Sequence, residues 1–493
     1  MSRPRPVADL DWGAAQARDL TDAMLDLWSE LLERMGDLPV SRPFDAAAVA
    51  ASAALPIRPE PLSVAELAAL LRPLVMEQST LCGHPGFMAY VSGSGTVPGA
   101  AADLLAAALN PNVGGWSLAP AATELELHLM RFMAEQFGLP AGAGGLMTSG
   151  GAASNLTAIK AARDARTDSD VRRDGVAGLG LVLYASTEAH ATIAEAADIL
   201  GLGEAAVRAI PTDAGYSMRM DDLRRAVEDD ILAGLHPFAV VATAGTTATG
   251  AVDPLPAVAD LCAERGLWLH VDAAYGGAAM LAPELRPLLT GIERADSIAF
   301  DPHKWLYTPQ SSACLLVRDP RHLRRSYSID AAYVRDDARL SGRGTNIGEL
   351  GPQWSRSWNA LKVWLSLAAH GTDAYARRIA HDVELARYLD RRVREHPDLE
   401  PMCPVTLSIA CFRYAPAAAG LDDAALDALN ERLMIAIRRD GRAFPSNAEL
   451  GGRYCLRACL VNHRTEADDI DALVDATVRL GAELVPRSAL GSA

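Results

Sequence analysis

ADSIAFDPHKWLYTP, residues 295–309, sets a lysine in an unusual place. Its first residues read as a short buried strand, Asp301 and Pro302 end that strand, and Lys304 follows between His303 and Trp305. A lysine held away from water loses its proton more readily, because burial disfavours the charged form. The neutral amine is then a nucleophile that can form a Schiff base. Taken alone, the plain reading is a surface lysine after a strand, so the neighbouring segments have to decide.

Those segments repeat one pattern. GLGLVLYAS (178–186), FAVVATAG (238–245), GLWLHVDAA (266–274) and ADSIAFDP (295–302) read as short, nearly continuous apolar strands. AATELELHLMRFMAEQFG (121–138) and SNLTAIKAARDAR (154–166) read as helices. Apolar strands separated by helices imply an α/β fold with a mostly parallel sheet covered on both faces. Ligands of such sheets bind at the carboxyl ends of the strands. We expect a large domain over residues 96–374. A smaller α+β domain is expected over 375–493, where a long charged helix precedes LSIACFRYAP and RYCLRACLVN. Residues 1–95 are expected to form a helical dimerisation segment. Leu20, Met24, Leu27, Leu31 and Met35 recur there at helical spacing, and Ser63 with Glu66 forms a capping box.

Bulk properties narrow the function. The chain has 493 residues and a formal net charge of -16, from 46 basic and 62 acidic side chains. That balance argues against a nucleic-acid binder, which needs basic patches for phosphates. We find no apolar leader and no run long enough to cross a membrane. The seven cysteines are scattered, and Cys455 and Cys459 lack a second pair at zinc-ligand spacing. A cytoplasmic protein with reduced thiols and no metal is expected.

Four strand ends carry candidate chemistry. In TSGGAASNLTAIKAA (148–162) glycines and small residues open a helix, whose free N–H groups favour an anion. Ser154 is placed to add a hydroxyl. Its plain reading is a serine-capped turn, and no lysine follows at Walker spacing. In HVDAAYGG (270–277), Asp272 ends a strand among small residues, where a carboxylate needs a cationic or hydrogen-bonding partner. His190 in STEAHATIAEAA (186–197) begins a helix; an isolated histidine there is more often structural. Lys304 comes one strand after Asp272. Together these supply an anion cradle, a buried carboxylate, an aromatic cover and an amine, which are the needs of pyridoxal 5'-phosphate (PLP).

The sequence resembles the group II PLP-dependent decarboxylases, the family of aromatic-L-amino-acid decarboxylase. The resemblance runs from about residue 14 to the C-terminus. HVDAAYGG and DPHKW carry it most specifically, supported in order by HPGFMAY (84–90), LAPAATELE (118–126), TAGTTATGAVDPL (243–255) and SRSWNALKVW (355–364). It implies PLP-dependent fold type I. It also implies that Lys304 is the Schiff-base lysine, that Asp272 holds the pyridine nitrogen protonated, and that His190 stacks on the ring. Ala152, Ala153 and Ser154 match the phosphate-binding turn, Thr246 and Ala274 line the ring, and His303 lies near the phosphate. Tyr333 resembles a loop tyrosine that acts across a homodimer and returns a proton to the substrate α-carbon.

The implied activity is loss of carbon dioxide from an L-amino acid, first among them an aromatic one, to give the amine. An aldehyde synthase, or a decarboxylase of glutamate or 2,4-diaminobutyrate, is the alternative. Both Tyr333 and His190 are present, which favours simple decarboxylation. Three positions depart from the pattern. Asp301 replaces an asparagine near the phosphate, so it should point away or pair with a cation. Ser357 stands where an arginine is common, which bears on the polar network around Arg356. NVGGWSL (112–118) is glycine-rich where the animal enzymes are bulky, implying a roomier pocket.

Overall fold

The structure is a computed structural model, and it describes residues 10–330 and 344–485. In chain order the strands are β1 (Phe87–Met88), β2 (Gly144–Thr148), β3 (Leu181–Ser186), β4 (Val207–Ile210), β5 (His236–Thr243) and β6 (Trp268–Asp272). β7 (Ser297–Phe300), β8 (Ala313–Val317), β9 (Leu399–Pro401), β10 (Ile409–Tyr414), β11 (Phe444–Leu450) and β12 (Arg453–Cys459) follow. Among the described residues they form two sheets.

The larger is seven-stranded, in the order β2-β8-β7-β6-β5-β3-β4. β3 to β7 run parallel, and every residue of β3, β6 and β7 is buried. Burial on both faces explains why these strands read as unbroken apolar runs rather than alternating ones. The edge departs from the parallel expectation: β8 is antiparallel to β7, and β2 is antiparallel to β8. The link from β7 to β8 contains only the short helix Pro302–Trp305. A parallel return needs a longer crossover, usually a full helix. Two reversals also leave β2 running in the same direction as β7.

That direction gathers the chemistry. The register pairs Thr243 with Asp272, Asp272 with Ala299, Phe300 with Cys314 and Thr148 with Ala313. The segments after β2, β3, β5, β6 and β7 therefore leave from one edge of the sheet. The helix Gly151–Ala165 packs along the sheet through Ser154, Asn155, Thr157, Ala158 and Ala161, whose small side chains permit close approach. After β5 the chain turns at Gly245, at φ +100°, where a Cβ would lie 2.8 Å from the Tyr275 ring. Only glycine meets both demands.

The second sheet is five-stranded, in the order β1-β11-β12-β10-β9. The helices Thr372–Glu395, Asp423–Asp440 and Ala467–Leu484 cover it. Although β1 comes from the N-terminal segment, it pairs in parallel with β11. Tyr275, beyond β6, joins the two sheets through its hydroxyl, 2.7 Å from Ser408 Oγ. Near the N-terminus, the helix Ala14–Arg34 packs on Val64–Met76 and has no fully buried residue. The capping box forms as expected: the Glu66 N–H donates to Ser63 Oγ at 3.2 Å, and the Ser63 N–H to Glu66 Oε2 at 2.8 Å. No helix among the described residues is long and apolar enough to cross a membrane.

Candidate active site

Lys304 lies in the short helix after β7, its side chain 23% exposed. Its Nζ is 3.0 Å from Asp301 Oδ2, one helical turn earlier. Burial pulls the amine down, but the charges of Asp301 and then Asp272 outweigh it and raise Lys304 above the ordinary lysine value. The expectation that burial would neutralise this amine is therefore corrected: in the protein alone it is an ammonium ion. Asp301 also accepts from the Gly151 N–H at 3.2 Å, and its Oδ1 has no hydrogen-bond partner among the described residues. The sequence expectation that Asp301 pairs with a cation is met by Lys304 itself.

Asp272 ends β6 on the neighbouring strand and is 7% exposed. Its Oδ2 accepts from Asn155 Nδ2 at 2.9 Å, and its Oδ1 from the Ala274 N–H at 3.1 Å. Ala274 is buried beside this carboxylate, and its carbonyl receives the Asp301 N–H at 3.2 Å.

The turn after β2 leads into the helix Gly151–Ala165, whose first N–H groups have no partner inside the helix. Ala152 is exposed and Ala153 half-buried at this end. Ser154 is placed otherwise than expected. It is fully buried, with Oγ 2.7 Å from Thr148 Oγ1 and 3.4 Å from the Cys314 carbonyl. The hydroxyl braces the turn from behind, so the backbone of the turn is what faces outward.

His303 is buried, and its Nδ1–H donates to the Ser312 carbonyl at 2.6 Å. Nε2 is thereby left as the acceptor, 3.7 Å from Asp301 Oδ2, and burial lowers the ring below an ordinary histidine. Thr246 is fully buried in the turn after β5, 2.9 Å from Thr249 Oγ1. His190 lies exposed beyond β3, where the Thr192 N–H donates to its Nδ1 at 3.2 Å. In the neutral ring that places the proton on Nε2. Tyr333 lies outside the described residues.

Residues 47–415 match the family described as pyridoxal-dependent decarboxylase conserved domain. The chain belongs to this family of PLP-dependent amino-acid decarboxylases. It is 32% identical to an aromatic-L-amino-acid decarboxylase of Bacillus atrophaeus over 462 residues, covering 94% of this chain and 95% of the relative. It is 34% identical to a phenylacetaldehyde synthase of a Rosa hybrid cultivar, covering 88% and 84%. A crystal structure of Oryza sativa TDC with PLP and tryptamine superposes with a TM-score of 0.90 at 30% identity, covering 97% of this chain and 99% of that one. The family is fold type I, and its members are PLP-dependent carboxy-lyases.

The residues present fit PLP. A helix N-terminus suits a phosphate, Asp272 suits a protonated ring nitrogen, and the Lys304 amine lies between them in the order of strands. Asp301 puts a carboxylate at the same helix end, an anion that a phosphate there would have to meet. Sequence reasoning missed Asn155 and His270, which stand behind Asp272. Both are polar residues inside apolar packing, His270 in β6 and Asn155 on the helix Gly151–Ala165, and a buried polar group is itself informative. Ser357 is exposed and takes no part in the contacts of Arg356, whose buried Nε, like Glu126 Oε2, has no hydrogen-bond partner among the described residues. Arg356 pairs with the fully buried Glu126 and donates to the Met147 carbonyl at 2.9 Å.

Proposed function

We propose that the protein decarboxylates an aromatic L-amino acid, releasing the amine and carbon dioxide. The observation that carries this reading is the placing of the Lys304 ammonium and the Asp272 carboxylate at the ends of adjacent strands. The aromatic preference rests on likeness to the Bacillus atrophaeus enzyme and to the Oryza sativa structure with tryptamine.

When bound, PLP supplies an electron sink for the pair left behind by the departing carboxylate. Lys304 would hold it through its amine, which must first lose a proton and its Asp301 partner. Asp272 would keep positive charge at the ring nitrogen, a fixed counter-charge where charge develops. The N–H groups of Ala152 and Ala153 would hold the phosphate, with His303 Nε2 nearby. Thr246 and Ala274 would line the ring, and His190 would cover it. Tyr333 would return a proton to the substrate α-carbon, with His190 Nε2–H assisting. Residues 96–374 would form the PLP-binding domain and 375–493 the small domain, in a cytoplasmic homodimer joined partly through residues 1–95. The exposed Leu104, Leu105 and Leu109 on the helix Val97–Leu109 support such a partner surface.

The likeness to the Rosa synthase favours one second reading, oxidative conversion to the aldehyde. Purified protein with PLP, supplied in turn with tryptophan, tyrosine, phenylalanine, DOPA, glutamate and 2,4-diaminobutyrate, separates the readings. Carbon dioxide and amine from the aromatic substrates, without hydrogen peroxide, are expected. Peroxide and aldehyde would establish the synthase, and turnover of glutamate or 2,4-diaminobutyrate alone would overturn the substrate class.

A further inference from the structure

Behind Asp272 runs a chain of buried polar groups whose proton directions can be worked out. Asn155 bonds Asp272 Oδ2 at 2.9 Å on one side and His270 Nε2 at 3.0 Å on the other. A carboxylate only accepts, so the Asn155 amide must turn its NH2 toward Asp272 and its oxygen toward His270. The oxygen also only accepts, so His270 must carry a proton on Nε2. On the far side of the ring, Nδ1 lies 2.8 Å from Ser297 Oγ. Ser297 Oγ in turn receives the Trp268 indole N–H at 2.8 Å, and an indole can only donate. His270, Ser297, Asn155 and Trp268 are each at most 2% exposed. Burial lowers His270 to about 4, so the ring is neutral and Nδ1 accepts from the Ser297 hydroxyl.

We propose that His270 is a positioning residue, which through Asn155 fixes the orientation of the Asp272 carboxylate toward the cofactor ring nitrogen. The donors run in one direction, from Trp268 to Ser297, His270, Asn155 and Asp272. Every group gives its proton toward the carboxylate, and none can reverse without setting two acceptors face to face. Without a donor on His270, the buried Asn155 oxygen loses its partner, and the amide that bonds Asp272 is held from one end only. Asn155 Nδ2 also donates to Thr192 Oγ1 at 3.2 Å, and Thr192 holds His190. One amide therefore links the ring-nitrogen partner to the residue proposed to cover the ring. The inference rests on the assignment of Asp272 made above.

Two measurements test it. Histidine-15N NMR of the cofactor-free wild-type protein at pH 7.5, with the His270 signals assigned by their loss in His270→Gln, reads the tautomer directly. A neutral ring protonated at Nε2 is expected, and protonation at Nδ1 or at both nitrogens would overturn the relay. The second compares His270→Leu, His270→Gln, Ser297→Ala and Asp272→Asn by PLP dissociation constant, kcat and KM. Glutamine can still donate to Asn155, whereas leucine cannot. His270→Leu should weaken PLP binding at least tenfold and lower kcat at unchanged KM, with His270→Gln recovering most of both. If His270→Leu does not fold, Ser297→Ala, which removes the donor to Nδ1, should show the same changes in smaller degree. Equal values for leucine, glutamine and wild type would remove His270 from the mechanism. If Asp272→Asn also binds and turns over as wild type, the assignment of Asp272 fails; if Asp272→Asn is impaired and His270→Leu is not, the relay alone fails.

Discussion

Lys304 Nζ and Asp301 Oδ2 lie 3.0 Å apart, with Asp301 1% exposed and also bonded to the first N–H of the helix Gly151–Ala165. A carboxylate thus occupies the helix N-terminus proposed for a phosphate. It stabilises the Lys304 ammonium in the cofactor-free protein and opposes a second anion there. The Lys304 amine is raised above its ordinary value, so the pair contributes fully below the unfolded lysine value. That contribution is lost as pH rises through the higher folded value. Asp301→Asn keeps the shape and removes the charge. The cofactor-free variant should be less stable by roughly 3 kcal/mol, because a largely buried ammonium loses its partner. Its PLP dissociation constant should fall, because like charges no longer meet. Calorimetry and a PLP titration check both. A weaker affinity would mean that the carboxylate serves the phosphate site.

Lys304→Ala and Asp272→Asn should fail in different ways. Without the amine there is nothing to hold PLP covalently, so the visible absorbance of the covalently held cofactor should vanish with nearly all activity. Asp272→Asn keeps the Asn155 and Ala274 contacts in outline but removes the counter-charge. An electrostatic contact of this kind is worth roughly 3 kcal/mol, or about a hundredfold in turnover. Absorbance spectra and kcat separate the two, and a wild-type kcat for Asp272→Asn would reassign the ring-nitrogen contact.

The residues that could be read from sequence are those at strand ends. Asp272 and Lys304 stand out because a charge directly follows an apolar run, and strand-end position is where α/β ligands sit. The direction of β8 was not legible, because residues 301–312 could be read as a loop of either kind. β2 was hidden by its leading glycines, which packing demands: a Cβ on Gly145 would fall 1.9 Å from the Leu315 carbonyl oxygen. The charge of Lys304 was misjudged because burial was visible in the sequence and the nearness of Asp301 was not. Ser154 was assigned outward because a helix face cannot be oriented until the sheet beneath it is known. His270 stood in plain view within LWLHVD, where its polarity among apolar neighbours was the available signal.

Buried histidines make the protein sensitive to acid, His270 and His463 most of all. Burial lowers His270 to about 4 and His463 to about 3. His463 bonds Ser94 Oγ at 2.6 Å through Nδ1. In the unfolded chain both titrate near 6.5. As pH falls through that value the unfolded state takes up protons that the folded state refuses, so stability declines until the folded values are reached. Each histidine removes up to about 1.4 kcal/mol per pH unit in that window. Burial also raises the Asp253 and Asp382 carboxyls to about 6, which works in the opposite direction over the same range, so the histidine contribution is read from the difference: between pH 6.5 and 4.5 His463→Gln should lose less melting temperature than the wild type. An unchanged slope would show that His463 is protonated in the folded protein.

Arg356 and Glu126 clamp the strand that leads into the proposed phosphate turn. Glu126 Oε1 accepts from Arg356 and, at 2.8 Å, from the Met147 N–H, while Arg356 Nη2 also donates to the Met147 carbonyl at 2.9 Å. Both amide groups of one β2 residue are thus held by this pair, and β2 ends one residue later at Thr148. Glu126 is fully buried, so removing its partner leaves an uncompensated charge in the interior. Breaking such a pair from one side costs about 3–5 kcal/mol, whereas replacing both members with neutral groups costs far less. Arg356→Met should accordingly lower the melting temperature and weaken PLP binding together, because the turn loses its anchor. Arg356→Met combined with Glu126→Gln should recover most of the stability, since a glutamine can still accept from the Met147 N–H without carrying charge. Thermal melts and PLP titration of the single and double variants check this. A double variant as unstable as the single one would show that the geometry of the arginine, rather than its charge, holds β2 in place.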